Sequence, residues 1–161
     1  MYSGNSKELV KDLKIGYHGW VDKDEVVSFV LGNPQTLQYS NVKTDENIIL
    51  DENIGRTILK LPNSKLVAYI SKKQIPWTIN TINVKSKTIE TIVHTLNGSE
   101  DFTLTNSGIL IMGKGSNLYN FDPNQDKNWV QIADLSRYGL TGVTRMAVSP
   151  KGDRIAIVVE E

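Results

Sequence analysis

The chain has no cysteine, so disulfides, thiolate nucleophiles and cysteine-ligated zinc are all excluded, in any compartment. It has no excess charge either: 18 basic residues face 18 acidic ones, and no global field draws it to nucleic acid or to an anionic lipid surface. No run of the sequence approaches the roughly 18 consecutive apolar residues of a membrane-spanning helix, so neither a nucleic-acid partner nor membrane insertion is expected. With two histidines in the whole chain, a histidine-rich metal site is not expected. Helical periodicity is missing as well, because Ala, Leu and Glu do not cluster at helical spacing anywhere. The N-terminal MYSGNSKELVKDLK is polar and lacks the apolar stretch of a signal peptide, so none is expected in this chain.

What is present is a repeat. The last twenty residues, GVTRMAVSPKGDRIAIVVEE, read as a strand, a turn and a second strand. Residues 146–148 and 155–159 are short apolar runs, the second rich in β-branched residues that suit a pleated surface. Between them Pro150 fixes its own φ and Gly152 supplies a permissive backbone, which makes residues 149–152 a tight turn. Weaker copies lie upstream: Thr105-Asn106-Ser107-Gly108, Leu61-Pro62-Asn63-Ser64 and Val21-Asp22-Lys23-Asp24 each precede an apolar run. The fourth turn positions are 24, 64, 108 and 152, spaced 40, 44 and 44 residues apart. A period of about 40–45 residues that holds four short strands is that of a β-propeller blade.

The fold expected is therefore all-β, with about three and a half four-stranded antiparallel blades in a single domain or fragment spanning residues 1–161. A blade remnant covers 2–14, with one outer strand over Lys7-Glu8-Leu9-Val10; blades follow over about 15–53, 54–98 and 99–138, and an incomplete blade over 139–161. Their strands are expected near 17–21, 25–31, 36–42 and 46–50, then 57–61, 65–72, 77–84 and 88–95, then 101–105, 109–113, 117–121 and 129–134. A closed ring needs at least four blades, so the expectation is a partial or half propeller of a larger ring, one that self-associates through open blade faces when expressed alone.

The residues MAVSPKGDRIAIVVEE closely resemble the TolB-type, WD-like propeller repeat, an apolar strand followed by Ser-Pro-Asp-Gly and a strand beginning Lys-Ile-Ala. Here Lys151 replaces the aspartate, and Asp153-Arg154 follow Gly152. With Gly16-Tyr17-His18-Gly19-Trp20, Phe29-Val30-Leu31-Gly32, Ile54-Gly55-Arg56 and Gly98-Ser99-Glu100-Asp101, the whole chain is similar to the C-terminal part of exported TolB-like propeller proteins of the Bacteroidetes. That resemblance implies a six- or seven-bladed parent, a periplasmic or exported location and no agreed activity. In the wider family TolB is a periplasmic interaction module and related propellers accompany serine peptidases, whose catalytic machinery is not in this sequence.

Aligning the units on their turns brings the starts of the four first strands together: Tyr17, Thr57, Asp101 and Arg145, with His18, Arg56, Glu100 and Thr144 beside them. First strands line a propeller's channel, so this ring is a candidate site for a small anion, sugar or peptide terminus, with Arg56 and Arg145 as forked donors. The plainer reading pairs Asp101 with Arg145 across neighbouring blades, as a stitch between them. His18 is a candidate metal ligand or base, but no second histidine matches it: His94 falls on an outermost strand. No cofactor and no metal are expected. Trp20, Trp77 and Trp129 are expected in the core or between blades.

Two apparent motifs dissolve on inspection. Gly108 to Gly115 nearly spells a phosphate loop, but it ends in glycine and encloses an apolar strand. Asp122-Pro123-Asn124-Gln125-Asp126 starts like a calcium loop, yet Lys127 stands where that loop needs glycine and Ala133 where it needs glutamate. Asn97-Gly98-Ser99 is a formal glycosylation sequon at a turn. The function expected is a non-enzymatic scaffold for protein or peptide partners in the bacterial envelope; the alternative is a small-molecule or carbohydrate propeller, binding or hydrolytic, that uses the channel ring, with a metal near His18 or Glu100.

Overall fold

Alternating apolar residues bounded by turn formers produce fourteen strands in a computed structural model, which describes Gly4 and residues 8–96 and 98–160. The first sheet holds β1 (Ile15–Asp22), β2 (Glu25–Val30), β3 (Thr36–Asn41) and β4 (Glu46–Glu52). The second holds β5 (Ile54–Lys60), β6 (Leu66–Ser71), β7 (Thr78–Asn83) and β8 (Ile89–His94). The third holds β9 (Phe102–Leu104), β10 (Leu110–Lys114), β11 (Asn117–Phe121) and β12 (Val130–Asp134). A hairpin of β13 (Thr141–Val148) and β14 (Ile155–Glu160) follows. Every sheet is an antiparallel meander in sequence order. The chain is all-β and built of propeller blades, as its period implies.

All four repeated turns join the first strand of a sheet to its second. In the last, Gly152 N–H donates to the Ser149 carbonyl at 2.8 Å, with φ at +74° at Gly152. In the third sheet Gly108 N–H donates to Thr105 at 3.0 Å. A second recurrent turn joins third to fourth strands, and it is written as Asn-Val-Lys. The Asn41 side-chain oxygen accepts from Lys43 and Thr44 N–H, and that of Asn83 accepts from Lys85 and Ser86 N–H, which closes two equivalent turns.

The burial gradient across each sheet follows from the stacking. Middle strands are covered on both faces: β2, β3, β6 and β7 are almost entirely buried, whereas the outer β8 and β12 are largely exposed. Between the first and second sheets lies a core of Val27, Phe29, Leu37, Ile54, Tyr69 and Ile82. Between the second and third lie Ala68, Ile70, Ile79, Phe102, Leu110 and Met112, with Trp77 and Trp129 packed against them. Val143 docks the terminal hairpin onto the third sheet beside Gly113.

Two expectations need correction. Glu8 to Val10 form no strand, because no sheet edge pairs with them; Lys7 lies outside the described residues. Trp20 does not pack between blades. It is 44% exposed beside Val26 and Ser28, on the face of the first sheet opposite the Val27 and Phe29 core. A 3-10 turn, Ser136–Tyr138, links β12 to β13, and Gly139 closes it with φ at +72°. Of the sequon, Asn97 lies outside the described residues.

Candidate functional site

Inner strands β1, β5, β9 and β13 converge on a cavity of about 420 Å³. Tyr17 and His18 reach it from β1, Arg56 and Thr57 from β5, Arg145 and Met146 from β13; Phe102 comes from the start of β9 and Asp101 from the loop just before it. The four residues aligned by the repeat thus share one wall, although 128 residues separate Tyr17 from Arg145. Ile58, Leu59, Phe102 and Met146 supply apolar lining.

The charges are partnered differently from the expected stitch, because Asp101 does not pair with Arg145. It is 9% exposed and takes Arg56 in a forked geometry: Nε donates to Oδ1 at 3.0 Å and Nη2 donates to Oδ2. This hydrogen bonding raises the Arg56 pKa above its already high value, against the opposing effect of burial. The fork fits because Arg56 leaves one blade directly opposite the loop that enters the next. Thr57 Oγ1 reinforces that junction by donating to the Glu100 carbonyl at 2.9 Å. Asp101 and Arg56 cancel each other's charge and close the seam between the second and third sheets.

Glu100 turns away from the cavity. Its Oε1 accepts from Lys72 Nζ at 2.6 Å, and the same ammonium lies 5.0 Å from the Trp77 ring centroid. Lys72 had no motif to mark it; its pairing rests on a contact between residues 28 apart. Thr144 faces a second cavity of about 390 Å³, with Lys114 and Glu160, on the other side of the Arg56–Asp101 pair.

Arg145 is the remaining cation. Its Nη2 donates to the Tyr17 hydroxyl at 2.9 Å, and its guanidinium carbon sits 5.6 Å from the Tyr17 ring centroid. Tyr17 is held in turn by an edge contact with Phe29, 5.9 Å between centroids at 76°. Among the described residues Arg145 has no carboxylate partner. His18 is exposed and also borders a smaller groove with Trp20 and Ser28. Among the described residues no group of three or more His, Asp or Glu side chains gathers at metal-binding spacing. In the calcium-like loop the Asp122 carboxylate is occupied by Asn124 N–H at 2.9 Å and by the Gln125 amide at 3.0 Å. No described helix is long and apolar enough to cross a membrane.

No protein-family profile matches the sequence, and no curated protein does. Among solved structures the chain is similar to TolB from Acinetobacter baumannii, with a TM-score of 0.68 over 92% of this chain at 12% identity. The chain spans 38% of the length of that TolB chain. At this identity the likeness is one of fold, and the fold is a TolB-like β-propeller.

Proposed function

We propose that this chain is a non-enzymatic propeller scaffold that binds a protein or peptide partner at the funnel where its inner strands meet, in the bacterial cell envelope. One observation carries the reading: three blades and the terminal hairpin each contribute a polar side chain to a single cavity, and Arg145 and Tyr17 reach each other across it. About 420 Å³ lies within the range of about 300–1,000 Å³ usual for ligand sites, and the wall combines apolar area with a few oriented polar groups, which suits a short chain segment. The envelope location rests on the resemblance of the terminal repeat to TolB-type repeats.

Peptides selected from a random library on the immobilised chain provide the test. Hydrogen exchange of the complex is expected to protect amides around Tyr17, Arg56, Asp101 and Arg145, and Arg145→Ala is expected to weaken binding by about tenfold. Protection confined to β4, β8 and β12 overturns the funnel as the binding site. Fractionation of the native host is expected to place the chain in the periplasm, and recovery from the cytosol alone rejects the envelope.

A further inference from the structure

We infer that the funnel recognises a free carboxylate carried on an apolar body, as at the C-terminus of a peptide, and that Arg145 is the group that reads it. The inference rests on the binding role proposed above and names its chemistry.

The charges at the wall do not balance. The titratable side chains there are Tyr17, His18, Arg56, Asp101 and Arg145. Arg56 and Asp101 neutralise each other through two parallel hydrogen bonds, so the pair offers an ion no net charge. Glu100, the next carboxylate, is held by Lys72 outside the cavity. Arg145 is then a cation whose counter-charge is missing among the described residues, and His18 beside it adds no negative charge. A guanidinium carries five donors, and the described hydrogen bonds of this side chain use one of them, toward Tyr17.

That single bond matters for how the site works. The Tyr17 hydroxyl and ring hold the guanidinium over the opening, while Phe29 fixes the ring from behind. The side chain is thereby oriented before a ligand arrives, which lowers the ordering cost of binding. Around it Ile58, Leu59, Phe102 and Met146 accept the apolar part of the ligand. A dianion is a poor fit, because one uncompensated cation faces it and the Asp101 carboxylate lies on the same wall. A neutral polar ligand leaves the guanidinium charge unmet.

The probes are N-acetyl-leucine and N-acetyl-leucinamide, identical but for the charge, titrated separately into the intact chain. Binding is read from the Arg145 Nε resonance and the methyl groups of Ile58, Leu59 and Met146. The acid is expected to shift these signals, with the amide about tenfold weaker or more, as loss of a charge-assisted hydrogen bond requires. Arg145→Ala is expected to abolish the acid-over-amide preference, and Tyr17→Phe to reduce it. Equal binding of acid and amide, absence of binding by the acid, or a preference unchanged in Arg145→Ala each overturns the inference. Those results leave peptide binding at the funnel intact, since selected peptides test it separately. Conversely, a funnel that takes the acid but protects no amide with any selected peptide separates carboxylate recognition from the protein-binding role.

Discussion

Asp101 decides which arginine of the funnel is left for a ligand. Because its carboxylate is buried while Arg56 reaches solvent, the two halves of the pair are unequal. Arg56→Ala strands a buried charge and is expected to cost about 3 kcal/mol in urea unfolding, whereas Asp101→Ala releases an arginine that water can solvate and costs about 1–2 kcal/mol. A second buried contact joins the first two sheets. The Tyr69 hydroxyl donates to Asp51 Oδ2 at 2.6 Å, and Lys73 pairs with the other oxygen. Burial, followed by the hydrogen bond to the carboxylate, pushes the Tyr69 pKa well above the usual value near 10. Above about pH 10 the unfolded chain loses this proton and the folded chain keeps it, so stability falls as pH rises through that range. Tyr69→Phe is expected to cost about 1–2 kcal/mol at neutral pH, and its deficit relative to the parent narrows above about pH 10 when unfolding is followed in alkaline buffers. The positions of Tyr17, Thr57, Asp101 and Arg145 were legible from the repeat. Their partners were not, because choosing Arg56 over Arg145 for Asp101 depends on side-chain reach across a blade seam, which spacing does not encode.

At the scale of elements, the terminal hairpin depends on a close approach. A Cβ on Gly113 would lie 2.5 Å from Val143 Cγ1 and 2.7 Å from its Cβ, closer than packed atoms allow. Gly113→Ala is expected to destabilise the docking of β13 and β14 by about 1–3 kcal/mol, measured by thermal unfolding and by faster amide exchange in the hairpin. Adding Val143→Ala removes the Cγ1 contact and leaves the one with Cβ, so the double variant is expected to recover only part of that loss. Strand positions followed from apolar runs between turn formers, and each observed strand lies within a few residues of its expected span. The Asn-Val-Lys turns at 41–43 and 83–85 were an additional signal in the sequence itself, two identical triplets one blade apart. Trp20 was misread because strand position alone does not say which face of a sheet meets a neighbour.

Across the whole molecule, burial falls away from the centre of the stack. Ala68, Tyr69, Ile70 and Ile79 in β6 and β7 are fully buried between two neighbouring sheets. The hairpin has one described neighbouring sheet and keeps Val158 54% exposed. Its links to the rest include the Val143 contact, the Val143 N–H donating to the Gly115 carbonyl at 3.0 Å, the Arg145–Tyr17 bond and the Asn106 amide donating to the Pro150 carbonyl at 2.8 Å. Native-state hydrogen exchange is therefore expected to rank β6 and β7 slowest and β13 and β14 fastest among the paired strands. Equal protection throughout would show a single cooperative unit instead.

The sequence by itself determined the strands and turns, which arise from local propensity and alternation, and the blade period, which is the spacing at which those local patterns recur. It also placed Tyr17, Thr57, Asp101 and Arg145 on one wall, because equal spacing in a repeated unit puts equivalent positions at equivalent places, but not Glu100, which Lys72 holds outside the cavity. Only the tertiary structure decided which charges cancel and which stay open. Residues 45 and 128 apart meet there, and the outcome depends on distances of about an ångström that no periodicity records.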